Sequence, residues 1–138
     1  MQDSIPLSKV MIVDDNPQNL ELLEAYLEEL PNVTTVCAVN GEDCLTKVRQ
    51  EAPDLILLDI MMPRMSGYEV CRKLRAEAAT RDVPIIMVTA LHETADVELG
   101  MEVGANDFLT KPVNRVDLIE RVRTLLRIRH DGERPAGS

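Results

Sequence analysis

At 138 residues, 45% of them hydrophobic, the chain suffices for one domain with its own core and is too short for a second of ordinary size. A net charge of −9 and a pI near 4.7 argue against a general phosphate-backbone binder, which needs clustered Lys and Arg, so no nucleic-acid partner is expected. The aromatics are Phe108, Tyr26 and Tyr68 alone, which argues against base-stacking surfaces and large ring-binding pockets.

The opening MQDSIPLSK has neither a basic n-region nor an apolar h-region, so no secretory signal is expected, and residues 1–8 read as a flexible lead-in. No apolar run approaches the length of a bilayer span, so no membrane partner is expected. KVMIVD (9–14) predicts a strand. In NPQNLELLEAYLEEL (16–30), Leu20, Leu23, Leu27 and Leu30 recur at 3-4-3 spacing among glutamates, which predicts an amphipathic helix, with Asn16 and Pro17 as cap and first residue. VTTVCAV (33–39) is a second strand, and Asn40-Gly41 turns the chain into a second helix, EDCLTKVRQE. DLILLD (54–59) is the third strand; its consecutive aliphatics Leu55 to Leu58 suit burial on both faces.

GYEVCRKLRAEA (67–78) sets Val70 and Leu74 on one helical face. VPIIMVT (83–89) is the fourth strand, and ETADVELGMEVG (93–104) a helix marked by Val97, Met101 and a closing Gly104. DFLT (107–110) makes a short fifth strand, and residues 114–129 the last helix, capped by Asn114 with Asp117 in its first turn. HDGERPAGS (130–138) has no apolar pattern and reads as a disordered tail or linker stub. Strands alternating with helices throughout predict βαβ crossovers, hence an α/β fold with a parallel sheet covered on both faces. Cys37, Cys44 and Cys71 are odd in number and lack CxxC spacing; they read as reduced core residues of a cytoplasmic protein.

The chemistry lies at the strand ends. The first strand stops at Asp14-Asp15, the third at Asp59, the fourth at Thr89 and the fifth at Lys111-Pro112. In an open α/β sheet these carboxyl ends meet along one edge. Each group alone has a bland reading: a solvated turn for the Asp pair, a structural Thr, a loop Lys-Pro, gap-filling for Met61 and Met62. Five polar groups at the same end of their strands are much harder to assign to chance. Three acids together repel, so one resists ionising unless a cation sits among them. Oxygen donors without a His or Cys cluster point to Mg²⁺ in preference to zinc. A carboxylate can itself act as nucleophile and form an acyl phosphate, with the metal, Lys111 and Thr89 around the phosphoryl oxygens.

The pieces VDD (13–15), LLDIMMPRMSGYEV (57–70), VTA (88–90) and DFLTKPV (107–113), with 30 residues from Asp59 to Thr89 and 22 from Thr89 to Lys111, resemble a response-regulator receiver domain over about residues 9–129. MMPRMSGYEVCRKLR and GANDFLTKP most resemble receivers that precede diguanylate cyclase domains. The resemblance implies a flavodoxin-like doubly wound sheet of order 2-1-3-4-5 with five helices. It implies that Asp59 accepts a phosphoryl group from a histidine kinase or phosphotransfer protein, the only catalysis being this self-catalysed transfer and autodephosphorylation. Asp15 and Asp59 would bind Mg²⁺ with the Met61 carbonyl, Asp14 assisting through water. Thr89 and Lys111 would bind phosphoryl oxygens, and Phe108 would turn inward with Thr89. A cis Lys111-Pro112 peptide is implied as well. Output would pass through helix 4, strand 5 and helix 5 to a partner or attached domain, with homodimerisation on phosphorylation as one route. Apolar Met61 and Leu91 flank the site and cannot orient an attacking water, which predicts a long-lived phosphoryl state.

Three rivals share the pattern. A docking module that no longer uses phosphorylation would not need the complete acid, Thr and Lys set. An aspartyl phosphatase would need a cap or lid for which 138 residues leave no room. A flavodoxin-like redox carrier would need aromatics for flavin stacking.

Overall fold

The computed structural model describes residues 5–90 and 93–132. Strands β1 (Ser8–Val13), β2 (Val33–Ala38), β3 (Leu55–Asp59), β4 (Ile85–Thr89) and β5 (Asp107–Thr110) alternate with helices α1 (Pro17–Leu27), α2 (Gly41–Glu51), α3 (Gly67–Ala76), α4 (Thr94–Val103) and α5 (Arg115–Gly132). Every pairing is parallel and the order is β2-β1-β3-β4-β5, the predicted class and order.

The period of two along the strands sorts their side chains into two cores. Val10, Ile12, Leu55, Leu57, Ile86 and Val88 face α1 and α5, whose Leu20, Leu23, Leu27, Leu118, Val122 and Leu126 complete one cluster. Met11, Val13, Ile56, Leu58, Ile85 and Met87 face the other way, onto Cys44 and Val48 of α2 and Val70, Cys71 and Leu74 of α3. All five residues of β3 and of β4 are buried, which is why those segments read as unbroken apolar runs.

The helix starts follow the capping chemistry. Asn16, Asn40 and Ser66 each accept a backbone N–H with their side chain, and Pro17 stands at the first position of α1. α4 begins with a reciprocal capping box between Glu93 and Asp96 and ends at Gly104, whose φ of 112° suits a glycine.

The structure departs from expectation at both ends and at α4. Ordered packing begins before Lys9: Ile5 is buried in the core, its carbonyl accepts from Asn32 Nδ2 at 2.7 Å, and Ser8 opens β1 opposite Val33. α5 runs past Arg129 to Gly132, and the Ser8 hydroxyl lies 2.9 Å from His130 Nε2, a partner that an apolar pattern does not reveal. Residues 1–4, 133–138 and Leu91 lie outside the described residues. In α4, Val97 and Met101 do not form the buried face; they are exposed, and Gly100 and Val103 are buried instead. Leu30 is buried as expected but three residues beyond the end of α1.

Candidate functional site

Strand register sets the neighbours at the carboxyl edge. Val13 pairs with Leu58, so the next residues, Asp14 and Asp59, lie side by side. Asp59 pairs with Val88, which puts Thr89 one step beyond it. Thr89 pairs with Thr110, and its carbonyl accepts the Lys111 backbone N–H at 2.8 Å, so Lys111 leaves the sheet edge at a fixed point. The Lys111-Pro112 peptide is cis, as the resemblance implied.

The side chains converge accordingly. One carboxylate oxygen from each of Asp14, Asp15 and Asp59 lies within 4.8 Å of the other two. Asp14 and Asp59 are 2% and 4% exposed, Asp15 is exposed and Thr89 buried. Lys111 Nζ donates to Asp14 Oδ2 and to Asp59 Oδ1, each at 3.2 Å. Burial, and after it the Asp14 carboxylate, pushes the Asp59 carboxyl up to about 6, against the pull of Lys111. Burial alone would lower Lys111, but Asp59 and Asp14 outweigh it and hold the ammonium's pKa above its usual value.

One ammonium thus serves two buried acids with a third beside them, and the cluster carries excess negative charge. Burial first and the neighbouring Asp14 charge second hold Asp59 above the carboxylate range, and a cation in the cluster would offset both. All the donors are hard carboxylate oxygens, so the set fits Mg²⁺. Met61 sits at the rim with its side chain 62% exposed. Phe108 is half-buried on β5, paired with Met87, and its ring lies against Gly100 of α4.

Two supporting residues carry no sequence signal as strong as that of the acids. Asn19 Nδ2 donates to Asp14 Oδ2 at 3.2 Å, while the Asn16 backbone N–H donates to Asp14 Oδ1 at 2.9 Å. Asn19 lies one helical turn after the cap, and this spacing was the available clue. Gly67 opens α3 against the back of the site: its N–H donates to the Ile60 carbonyl at 2.9 Å, and a Cβ there would overlap the Asp59 carbonyl oxygen. The glycine lets the helix start directly behind Asp59.

A doubly wound sheet with an acid cluster and a lysine at its carboxyl edge defines a phosphoacceptor class of signalling domain. The model of the response regulator receiver domain matches residues 10–123, and the chain belongs to that family. The response regulator PleD of Caulobacter vibrioides is 45% identical over 123 residues, 88% of this chain and 27% of PleD. The DNA-binding response regulator MtrA of Mycolicibacterium smegmatis is 44% identical over 89% of this chain and 52% of MtrA. The chain therefore spans between about a quarter and a half of these relatives. Among solved structures, the BeF3-activated N-terminal receiver domain of RstA from Klebsiella pneumoniae superposes with a TM-score of 0.79 at 34% identity, covering 86% of this chain and 98% of that one. The receiver domain of a sensor histidine kinase from Pseudomonas aeruginosa, with a magnesium ion coordinated in its active-site cleft, gives 0.79 at 31% identity, covering 86% and 97%. This chain is a receiver domain of two-component signalling with a phosphoacceptor role. Among the described residues no helix is long and apolar enough to cross a membrane.

Proposed function

We propose that Asp59 is the phosphoacceptor and that Asp14, Asp15, Asp59 and the Met61 carbonyl hold Mg²⁺. The observation that carries this reading is Lys111 Nζ at 3.2 Å from both Asp14 and Asp59, with three carboxylates inside 4.8 Å. Bound Mg²⁺ supplies positive charge against the phosphoryl oxygens and keeps Asp59 ionised. The chain's own groups do the rest. A carboxylate oxygen of Asp59 attacks phosphorus, the P–N bond of a kinase's phosphohistidine breaks, and the imidazole leaves with that bond's electrons. Lys111 follows the phosphoryl oxygens and the Thr89 hydroxyl donates to one of them.

The transfer, and the later hydrolysis of the acyl phosphate, are self-catalysed, so the domain is a signalling phosphoacceptor and not an enzyme acting on an outside substrate. The new group adds roughly −1.5 to −2 charge beside Thr89. Drawing Thr89 toward it gives Phe108 room to turn from Gly100, which alters α4, β5 and α5. Output then passes to an attached domain or a separate partner in the cytoplasm, or through a homodimer. The resemblance to receivers ahead of diguanylate cyclase domains, and the match to PleD, favour an attached domain over a nucleic-acid contact by this module itself.

The test is mass spectrometry after exposure to acetyl phosphate and Mg²⁺. The wild-type chain is expected to gain one phosphoryl group and Asp59→Asn none, because the amide has the shape but not the nucleophilicity of the acid. A phosphorylated Asp59→Asn chain would exclude Asp59 as acceptor.

A further inference from the structure

Asp14 is 2% exposed and both its carboxylate oxygens are engaged. Oδ1 accepts from the Asn16 backbone N–H at 2.9 Å. Oδ2 accepts from two side chains, Lys111 Nζ and Asn19 Nδ2, each at 3.2 Å. Lys111 also serves Asp59, and under the proposed function it is the group that follows the phosphoryl oxygens once Asp59 is modified. That movement draws it away from Asp14 Oδ2. A buried carboxylate oxygen left without a donor is costly and turns to find one.

We infer that Asn19 is a positioning residue of the acid pocket, whose side-chain amide holds the Asp14 carboxylate in place while Lys111 changes partners. This rests on the reading of Asp59 as phosphoacceptor. Asn19 is well placed for the task because its backbone is fixed: it lies in the first turn of α1, whose cap Asn16 accepts from the Gln18 N–H at 2.8 Å. Its chemistry also suits the task. A neutral amide donates without adding charge, whereas a cation there would compete with a metal and an acid would add a fourth negative group to three already crowded. Without Asn19, Lys111 is the one remaining side-chain donor to Asp14 Oδ2 among the described residues, and its transfer to the phosphoryl group leaves Asp14 free to rotate out of the metal site.

The test is a double-mutant cycle on Mg²⁺ affinity, read by NMR titration, with acetyl phosphate labelling run alongside. Wild type, Asn19→Ala, Asp14→Asn and the double variant are compared. Alanine is the better helix former, so α1 is not weakened by the change. Asn19→Ala is expected to weaken Mg²⁺ binding by roughly threefold to tenfold, near the low end for removing the outer partner of a metal ligand, and to slow phosphorylation at subsaturating Mg²⁺. In the Asp14→Asn background the same change is expected to alter affinity by less than about twofold, because the group it positions has lost its charge. Wild-type affinity in Asn19→Ala, or an equal loss with and without Asp14, overturns the positioning role and leaves the Asp59 reading intact; a wild-type chain that neither binds Mg²⁺ nor gains a phosphoryl group overturns both.

Discussion

Helices α1 and α4 are of similar length and flank the same carboxyl edge, yet they are held by different forces. α1 buries Leu20, Leu23 and Leu27 in the core it shares with α5. α4 buries only Gly100 and Val103, and exposes Val97, Leu99 and Met101. What fastens α4 is a polar stripe on α3, spaced at one and two turns. Tyr68 Oη donates to the Asp96 carbonyl at 3.0 Å, Cys71 Sγ to that of Val103 at 3.4 Å, and Arg75 to that of Gly104 from Nε at 3.0 Å and Nη2 at 2.8 Å. Hydrophobic burial has no preferred direction and is lost only when the helix leaves the sheet. Hydrogen bonds to carbonyls are directional, individually modest, and can be exchanged for water. α1 is therefore built to stay and α4 to shift at small cost.

The largest effect expected from this contrast is on α1. Leu27 is 1% exposed, and Leu27→Ala leaves a cavity between α1 and the sheet, costing about 2–5 kcal/mol. The exposed counterpart Met101→Ala is expected to cost no more than about 0.5 kcal/mol. Urea unfolding of the two variants measures the ratio; comparable losses would erase the distinction between the helices.

The pocket between the helices adds a case in which burial works against the fold. An unfolded Asp59 has its ordinary pKa of 3.8 and the folded one about 6, so the folded state binds the proton more tightly. This contribution to stability is full below pH 3.8 and is lost as pH rises through about 6, a total on the order of 2–3 kcal/mol. Asp59→Asn removes that slope. Without Mg²⁺ the variant is expected to be more stable than wild type by about that amount near pH 8, with the gap closing near pH 4. Paired denaturation curves across this range measure it. A constant difference at all pH values would show that Asp59 is not the strained acid.

The next effect is smaller and concerns where α4 meets β5. A Cβ at Gly100 runs into the Phe108 ring. Gly100→Ala gains about 1 kcal/mol of helix propensity and loses about 1–3 kcal/mol to overlap, a small net cost. The sharper readout is the ring itself. If the proposed switch displaces Phe108 from the glycine, the ring's NMR shifts in Gly100→Ala are expected to move toward those of the phosphorylated wild type. Unmoved ring resonances in Gly100→Ala would remove this contact from the switch.

These contrasts also mark how far the residues could be read in one dimension. The strands were visible because β3 and β4 are apolar on both faces, and the acids, Thr89 and Lys111 because each ends a strand. The strand order came from resemblance, since periodicity names a face but not the neighbour across it. The buried face of α4 differs from the one its periodicity predicts for the same reason. Val97 and Met101 keep a helical spacing, but the residue that touches β5 is Gly100, which has no side chain for a hydrophobic pattern to detect. Nothing in the sequence marks Tyr68, Cys71 and Arg75 as a tether, because their partners are backbone carbonyls some 30 residues away.

The smallest effect tests the tether most directly. Tyr68→Phe keeps the ring and deletes one hydrogen bond, to a carbonyl in the first turn of α4. The change is expected to cost about 0.5–1 kcal/mol, because the Tyr68 hydroxyl is half-buried and water can replace it at the carbonyl. Global unfolding barely resolves so small a loss, but local opening does. If α4 opens on its own, its amides are expected to exchange about two- to fivefold faster in Tyr68→Phe, while the amides of α1 keep their wild-type rates. The two helices must diverge in this experiment, because α1 packs in the core cluster that holds Leu23 and Leu27, while the α3 residues Val70, Cys71 and Leu74 belong to the cluster on the other face of the sheet. Faster exchange in both helices would mean that Tyr68 contributes to global stability alone. Unchanged exchange in α4 would mean that Cys71 and Arg75 hold the helix without it.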